Sequence, residues 1–243
     1  MRILIASSID PETIVKLREE HDVVCAFNAS EEKLKALIYD RDVLICRSGV
    51  TISAEVMANA PNLMLLIRAG SGTDNIDMEY VQRRRIRLER REMIAILAYV
   101  LALARNLLYA DRMLRQGHFA KHELNGYLLR GKVLGIIGAG NIGALTGQMG
   151  AAWGMKVLGC VENPSPLVAV ELAKKGIQLA SFDEVLAQAD FLSLHVPLTA
   201  ATRHLINAAA LARMKTGSYL INLARGGVVD EQALHQALTA GKT

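Results

Sequence analysis

The sequence predicts an α/β protein made of two parallel-sheet domains, and three observations predict it. Short apolar runs of β type alternate with helical patterns in two separate series. A long apolar helical stretch joins one series to the other. Three glycines in G-x-G-x-x-G spacing stand where a strand of the second series turns into a helix.

The first series places strands at Arg2–Ala6, Asp22–Ala26, Val43–Cys46 and Met64–Ile67, with helices beginning near Pro11, Glu31 and Ser53. Ser30 before Glu31 and Glu32, and Ser53 before Glu55, set a side-chain cap and first-turn acids where helices should start. A single helix over Met93–Gln116 then leads to the second series. Its strands are Val133–Ile137, Lys156–Val161, Phe191–Leu194 and Ser218–Asn222, and its helices begin near Asn141, Pro166, Ser181, Asn207 and Asp230. The domain boundary falls near residue 92, giving domains 1–92 and 93–243.

With 243 residues, 51% hydrophobic and 21% charged, the chain has material for two ordinary cores. The net charge of +4 gathers in Arg83, Arg84, Arg85, Arg87, Arg90 and Arg91, broken only by Glu89. That cluster reads as a solvated or poorly ordered connection, and the sequence offers no nucleic-acid motif beside it. Cys25, Cys46 and Cys160 are far apart and lie in or at the ends of apolar runs, so they read as buried thiols of a reducing compartment. The opening MRILIASS reads as a strand, and the run Met93–Ala104 is too short to cross a bilayer, so a cytoplasmic protein with no membrane partner is expected. His118 and His122 are four apart without a third ligand, so no metal site is expected.

The glycine motif occupies GKVLGIIGAGNIG, Gly131 to Gly143. Gly138 allows the tight turn, Gly140 lets backbone approach a pyrophosphate, and Gly143 lets the helix pack close to the strand. The amides at Asn141 and Ile142 open that helix and favour an anion. At the end of the next strand stands Glu162, with no Arg or Lys before Lys174, which favours NAD over NADP.

Four stretches together resemble the D-isomer-specific 2-hydroxyacid dehydrogenases, a family that includes phosphoglycerate dehydrogenases and hydroxypyruvate reductases. They are RAGSGTDNID from Arg68, the Gly131–Gly143 join, HVPLT from His195 with Thr202, and INLARGGVVD from Ile221. The resemblance covers nearly the whole chain. It implies a flavodoxin-like substrate domain, a Rossmann-type NAD-binding domain, and an active site in the cleft between the two. It implies hydride transfer between NAD(H) and C2 of a small 2-hydroxy or 2-oxo acid of phosphoglycerate, glycerate or glyoxylate type, by a homodimer. Arg225 matches the catalytic arginine, while Arg47, Ser48, Gly70, Ser71 and Gly72 match loops that receive the substrate. On the cofactor side, Gly138, Gly140, Asn141, Ile142, Gly143, Val196, Thr202, Leu223 and Ala224 match. For Arg47 a structural ion pair weighs as much as a substrate role, and His195 reads as a structural histidine.

The chain departs from the family pattern in three places. The ribose-binding acid would fall on Val161, and Glu162 stands one position later. After Leu88 an Asn- and Pro-containing loop is expected, but Glu89–Glu92 runs straight into Met93, as though a loop had been left out. The family's glutamate and proton-donating histidine would lie beyond Thr243, so the expectation is part of a longer dehydrogenase with an incomplete second sheet. An NADH-sensing regulator or corepressor on the same fold, or an inactive fragment, is the alternative.

Overall fold

The computed structural model describes residues 1–70, 72–90 and 95–241. Expectations that fall on Ser71, Arg91–Ile94 and Lys242–Thr243, including the start of the bridging helix at Met93, lie outside the described residues. The chain divides into two compact units, Met1–Met93 and Ile94–Thr243.

In the first unit the elements are β1 (Arg2–Ile5), α1 (Pro11–Glu20), β2 (Asp22–Cys25), α2 (Glu31–Ile38), β3 (Val43–Cys46), α3 (Ala54–Ala58), β4 (Leu65–Arg68), α4 (Met78–Arg83) and β5 (Arg87–Arg90). All strands are parallel in the order β2-β1-β3-β4-β5, the flavodoxin-like arrangement. Alternate strand residues feed opposite faces. Leu4, Leu44 and Leu66 join the core with Leu34, Ile38 and Met57, while Ile3, Ile5, Val43 and Ile45 pack on the other side. Both serine caps form: Ser30 Oγ accepts from Lys33 N at 3.4 Å and Ser53 Oγ from Val56 N at 3.2 Å.

The arginine cluster departs from its reading as a connection. Arg83 ends α4, Arg84 and Arg83 lie over the Tyr80 ring, and Arg87 and Arg90 belong to β5. The pattern looked like a loop because β5 is an edge strand with only Leu88 partly buried, and charges on such an edge oppose pairing with other chains.

The second unit begins with α5 (Ile96–Ala104) and α6 (Leu107–Arg115) rather than one helix. The break is Asn106, whose φ of 52° is left-handed, a conformation Asn tolerates better than most residues. There follow β6 (Val133–Ile137), α7 (Asn141–Ala152), β7 (Lys156–Cys160), α8 (Pro166–Ala173), β8 (Ile177–Leu179), α9 (Phe182–Gln188), β9 (Phe191–Leu194), α10 (Ala208–Arg213), β10 (Tyr219–Asn222), a 3-10 turn (Gly226–Val228) and α11 (Glu231–Thr239). The parallel order β10-β9-β6-β7-β8 is that of a Rossmann sheet. β8 was not expected, because three residues leave too short an apolar run to register. Ile136 and Ile137 point to opposite cores, so the sheet is covered on both faces.

All three cysteines are free; Cys46 and Cys160 are buried, but Cys25 is only half-buried on the outer strand β2. His118 and His122 follow α6 and do not share a helix face. Among the described residues no helix is long and apolar enough to cross a membrane, and no three His, Cys, Asp or Glu side chains gather to hold a metal.

Candidate functional site

In a parallel α/β sheet, ligands collect at the carboxyl ends of the strands where the strand order reverses. In the second unit that point lies between β6 and β9, because the chain leaves β6 toward β7 and later returns to β9 on the other side. Four loops leave the sheet around it, and every sequence-predicted cofactor residue is on one of them or on the first turn of α7.

The turn after β6 is built by backbone. Gly138 N and Ala139 N both donate to Cys160 O, at 3.1 and 2.9 Å, which ties the turn to the end of β7. Gly138 has φ of 91°, and a Cβ there would stand 2.8 Å from His195 O and 2.9 Å from Val196 Cγ1. Gly143 packs with no room at all, since a Cβ would strike Gly138 O. Gly140 differs: nothing lies within 4 Å of where its Cβ would be. It is also the N-cap of α7, and no side chain caps that helix. The first helical bond is Ala144 N to Gly140 O at 2.8 Å, so the amides of Asn141 to Gly143 precede the helix's own ladder. Open space in front of an uncapped helix N-terminus fits a phosphate. A cavity of about 290 Å³ adjoins it, lined by Gly140 and Asn141 and by Leu167, Val168 and Lys175 beyond.

The β9 exit carries His195, Val196 and Thr202. Ser193 Oγ lies 2.9 Å from His195 Nε2, and burial pushes the imidazole pKa down to about 4. The ring is therefore neutral at physiological pH and held by its neighbour, a structural histidine. Thr202 Oγ1 donates to Pro197 O and accepts from Thr199 N at 2.8 Å, so its hydroxyl fixes its own loop. Glu162 lies beyond the end of β7, exposed at a bend, because the strand stops at Cys160 rather than at Val161.

The β10 exit carries Leu223, Ala224 and Arg225. Arg225 is half-buried, with extended backbone, and its Nη1 donates to Ala224 O at 2.8 Å. Asn222, the last residue of β10, was given no role from sequence. Its Nδ2 donates to Arg225 O at 2.8 Å and its Oδ1 accepts from Ala224 N at 3.0 Å.

In the first unit the equivalent loops follow β3 and β4. Arg47 and Ser48 are exposed; Arg47 N donates to Ser7 Oγ at 2.9 Å, and Asn75 Nδ2 donates to Arg47 O at 2.9 Å and to Val50 O. Arg47 Nη1 donates to Ser8 O at 3.4 Å, and among the described residues no carboxylate pairs with it. Gly70 has φ of 150°, and a Cβ there would strike the guanidinium of Arg68. Arg68 is only 4% exposed and donates from Nη1 to Ala69 O at 3.1 Å. Its charge opposes the effect of burial on the neighbouring Cys46 thiol, which is nevertheless pushed up to about 11. Sequence reasoning missed Arg68 and Asn75 as loop-shaping residues, although both lie inside the RAGSGTDNID stretch. The signal available was their chemistry, a charge and a two-sided amide inside a glycine-rich loop.

Residues 97–243 match the NAD-binding domain of the D-isomer-specific 2-hydroxyacid dehydrogenases, and residues 3–90 match the catalytic domain of the same proteins. The chain belongs to the D-isomer-specific 2-hydroxyacid dehydrogenase family. Among relatives of this family it is similar to the D-3-phosphoglycerate dehydrogenase of Mycobacterium tuberculosis, 38% identical over 98% of this chain and 46% of that one. It is 34% identical to the hydroxypyruvate reductase of Thermotoga maritima, over 99% of this chain and 79% of the relative. The D-lactate dehydrogenase of Aquifex aeolicus, solved in complex with NAD and lactic acid, superposes with a TM-score of 0.73 at 28% identity, covering 99% of this chain and 74% of that one. The chain spans about half the length of the phosphoglycerate dehydrogenases it matches. Within this dehydrogenase family the two matched domains correspond to the flavodoxin-like and Rossmann-type units described above.

Proposed function

We propose that the chain carries the NAD-binding and substrate-binding parts of an oxidoreductase that interconverts 2-hydroxy and 2-oxo acids. The observation that carries this reading is that the carboxyl end of one sheet presents both an uncapped helix N-terminus behind Gly140 and a buttressed arginine at Arg225. The first suits a dinucleotide pyrophosphate. The second stays charged at any working pH and can hold a carboxylate and polarise the carbonyl beside it.

Gly138, Gly140, Asn141, Ile142 and Gly143 would hold the pyrophosphate, with Val196, Thr202, Leu223 and Ala224 along the dinucleotide and Glu162 on the adenosine ribose. Bound NADH supplies the two-electron reduction of the carbonyl at C2. Arg47, Ser48, Gly70, Ser71 and Gly72 would receive the substrate carboxylate. Substrates are small acids of phosphoglycerate, glycerate or glyoxylate type; two relatives are named for 3-phosphoglycerate and hydroxypyruvate. Two copies associating through α6 would cover Leu107, Leu108 and Leu114, which are 52%, 80% and 60% exposed. Free thiols at all three cysteines support a reducing cytoplasm.

NADH consumption by the full-length protein with hydroxypyruvate, glyoxylate and phosphohydroxypyruvate tests the proposal, with Arg225→Gln as the control. Turnover on one of them, lost in the variant without loss of NADH binding, is the expected outcome. Tight NADH binding with no turnover on any 2-oxo acid would replace the enzyme by an NADH-binding regulator.

A further inference from the structure

Arg225 is useful only if its guanidinium is aimed, and its loop follows β10, which has one neighbouring strand among the described residues. We propose that Asn222 is the positioning residue for Arg225. Its amide spans the turn, accepting from Ala224 N at 3.0 Å and donating to Arg225 O at 2.8 Å. The orientation of that amide follows from its partners, because a backbone N–H must meet its oxygen and a carbonyl must meet its nitrogen. One side chain thereby fixes the 223–224 and 225–226 peptide groups, with the 224–225 peptide and the Arg225 Cα held between them. The same residue is anchored at its root, since Asn222 is paired with Leu194 in the β10–β9 ladder. The clamp thus transmits the rigidity of the sheet to the arginine. Ionised Asp lacks the donor, Ser lacks the reach and Ala has no polar atom to offer.

The inference rests on the proposed function for the identity of the ligand, but not for the clamp itself. Two variants of the protein test it, Asn222→Ala and Asn222→Asp. Hydrogen exchange at the Ala224 amide should accelerate at least about tenfold in Asn222→Ala while the β6 amides keep their protection. Oxamate, a carboxylate with an adjacent carbonyl, should bind the NADH-loaded variant about tenfold more weakly, because small misplacements of a positioning group are costly. NADH affinity should stay within about twofold, since the helix N-terminus at Gly140 is untouched. In Asn222→Asp the ionised carboxylate faces Arg225 O without a proton to give. Lowering the pH restores an O–H donor, so oxamate affinity should recover in acid, a dependence the parent protein lacks.

Unchanged exchange at Ala224 would overturn the clamp. Equal losses of NADH and oxamate affinity would overturn positioning in favour of general loop collapse. A parent protein that binds NADH but no oxamate overturns the proposed function instead, and the exchange result then rules on the clamp alone.

Discussion

Gly138 and Gly140 are two residues apart in one motif, yet the structure assigns them opposite consequences on substitution. Gly138→Ala requires a side chain at φ of 91°, with its Cβ 2.8 Å from a backbone oxygen and 2.9 Å from Val196 Cγ1. Left-handed backbone costs roughly 1–2 kcal/mol, and forcing a methyl into a packed site roughly 1–3 kcal/mol more. The sum, about 2–5 kcal/mol, is a large share of a domain's stability. Gly140→Ala meets nothing within 4 Å. Loss of unfolded-state freedom favours that variant by about 0.4–1 kcal/mol, and a poorer N-cap opposes it by a similar amount, so the folded protein should be nearly unchanged. Its Cβ instead occupies the space in front of the α7 amides, and NADH affinity should fall at least about tenfold. Trp153, the single tryptophan, follows α7 and reports on the unit that carries the turn. Urea unfolding followed by its fluorescence gives stability, and NADH titration gives affinity. A Gly140→Ala protein that binds NADH normally would refute the close approach of backbone to cofactor. A Gly138→Ala protein as stable as its parent would refute the steric account of the turn.

Three further outcomes are expected. Thr146 is fully buried in α7 with no partner for its hydroxyl among the described residues, so Thr146→Val should leave stability equal or raise it by up to about 1 kcal/mol in urea unfolding; a loss beyond that means the hydroxyl is bonded. Burial holds the His195 imidazole pKa near 4 against an ordinary value of 6.5, so the unfolded chain takes up a proton between these values that the folded chain refuses. Stability from this group is therefore full above pH 6.5 and lost as pH falls toward 4, by at most about 3 kcal/mol. His195→Gln should flatten that interval in a pH series of unfolding midpoints, and an unaltered slope would assign it to other groups. Glu162→Ala should weaken NADH binding about tenfold through loss of a charged hydrogen bond to the ribose, and unchanged affinity would remove Glu162 from the site.

What was legible in the sequence follows from the range of the physics involved. Strands buried on both faces, such as Val43–Cys46 and Phe191–Leu194, are continuous apolar runs, and both lie where periodicity put them. The short β8 and the charged β5 were invisible because each is an edge strand, stabilised by one neighbour and marked by few apolar residues. The helix break at Asn106 was missed for a related reason: a single left-handed residue leaves the apolar pattern on either side intact. At the site, the motif glycines were legible from their spacing together with the apolar strand before them and the helical pattern after, because the turn they build is local. Asn75 reaches a loop that only tertiary structure brings near, while Asn222 and Arg68 bond within their own loops, and a one-dimensional pattern does not record which carbonyl a side chain will reach.

Among the described residues the two sheets differ at their outer strands. On the first sheet the edge strand β5 is defended by charge. On the second, β10 borders an apolar cavity of about 420 Å³ lined by Leu220, Leu234 and Leu238, with Asn222 and Gly226 at one end. The loop leaving β10 is braced by backbone hydrogen bonds from the segment after β9. His204 N donates to Gly227 O at 2.8 Å, Ile206 N to Val228 O at 3.1 Å, and Asp230 N to Ile206 O at 3.0 Å, so the segment after β9 holds the far end of the turn. Asn222 holds the near end. Arg225 thus sits between two fixed points that preorganise its loop; loosening either point should cost anion binding before it costs the fold.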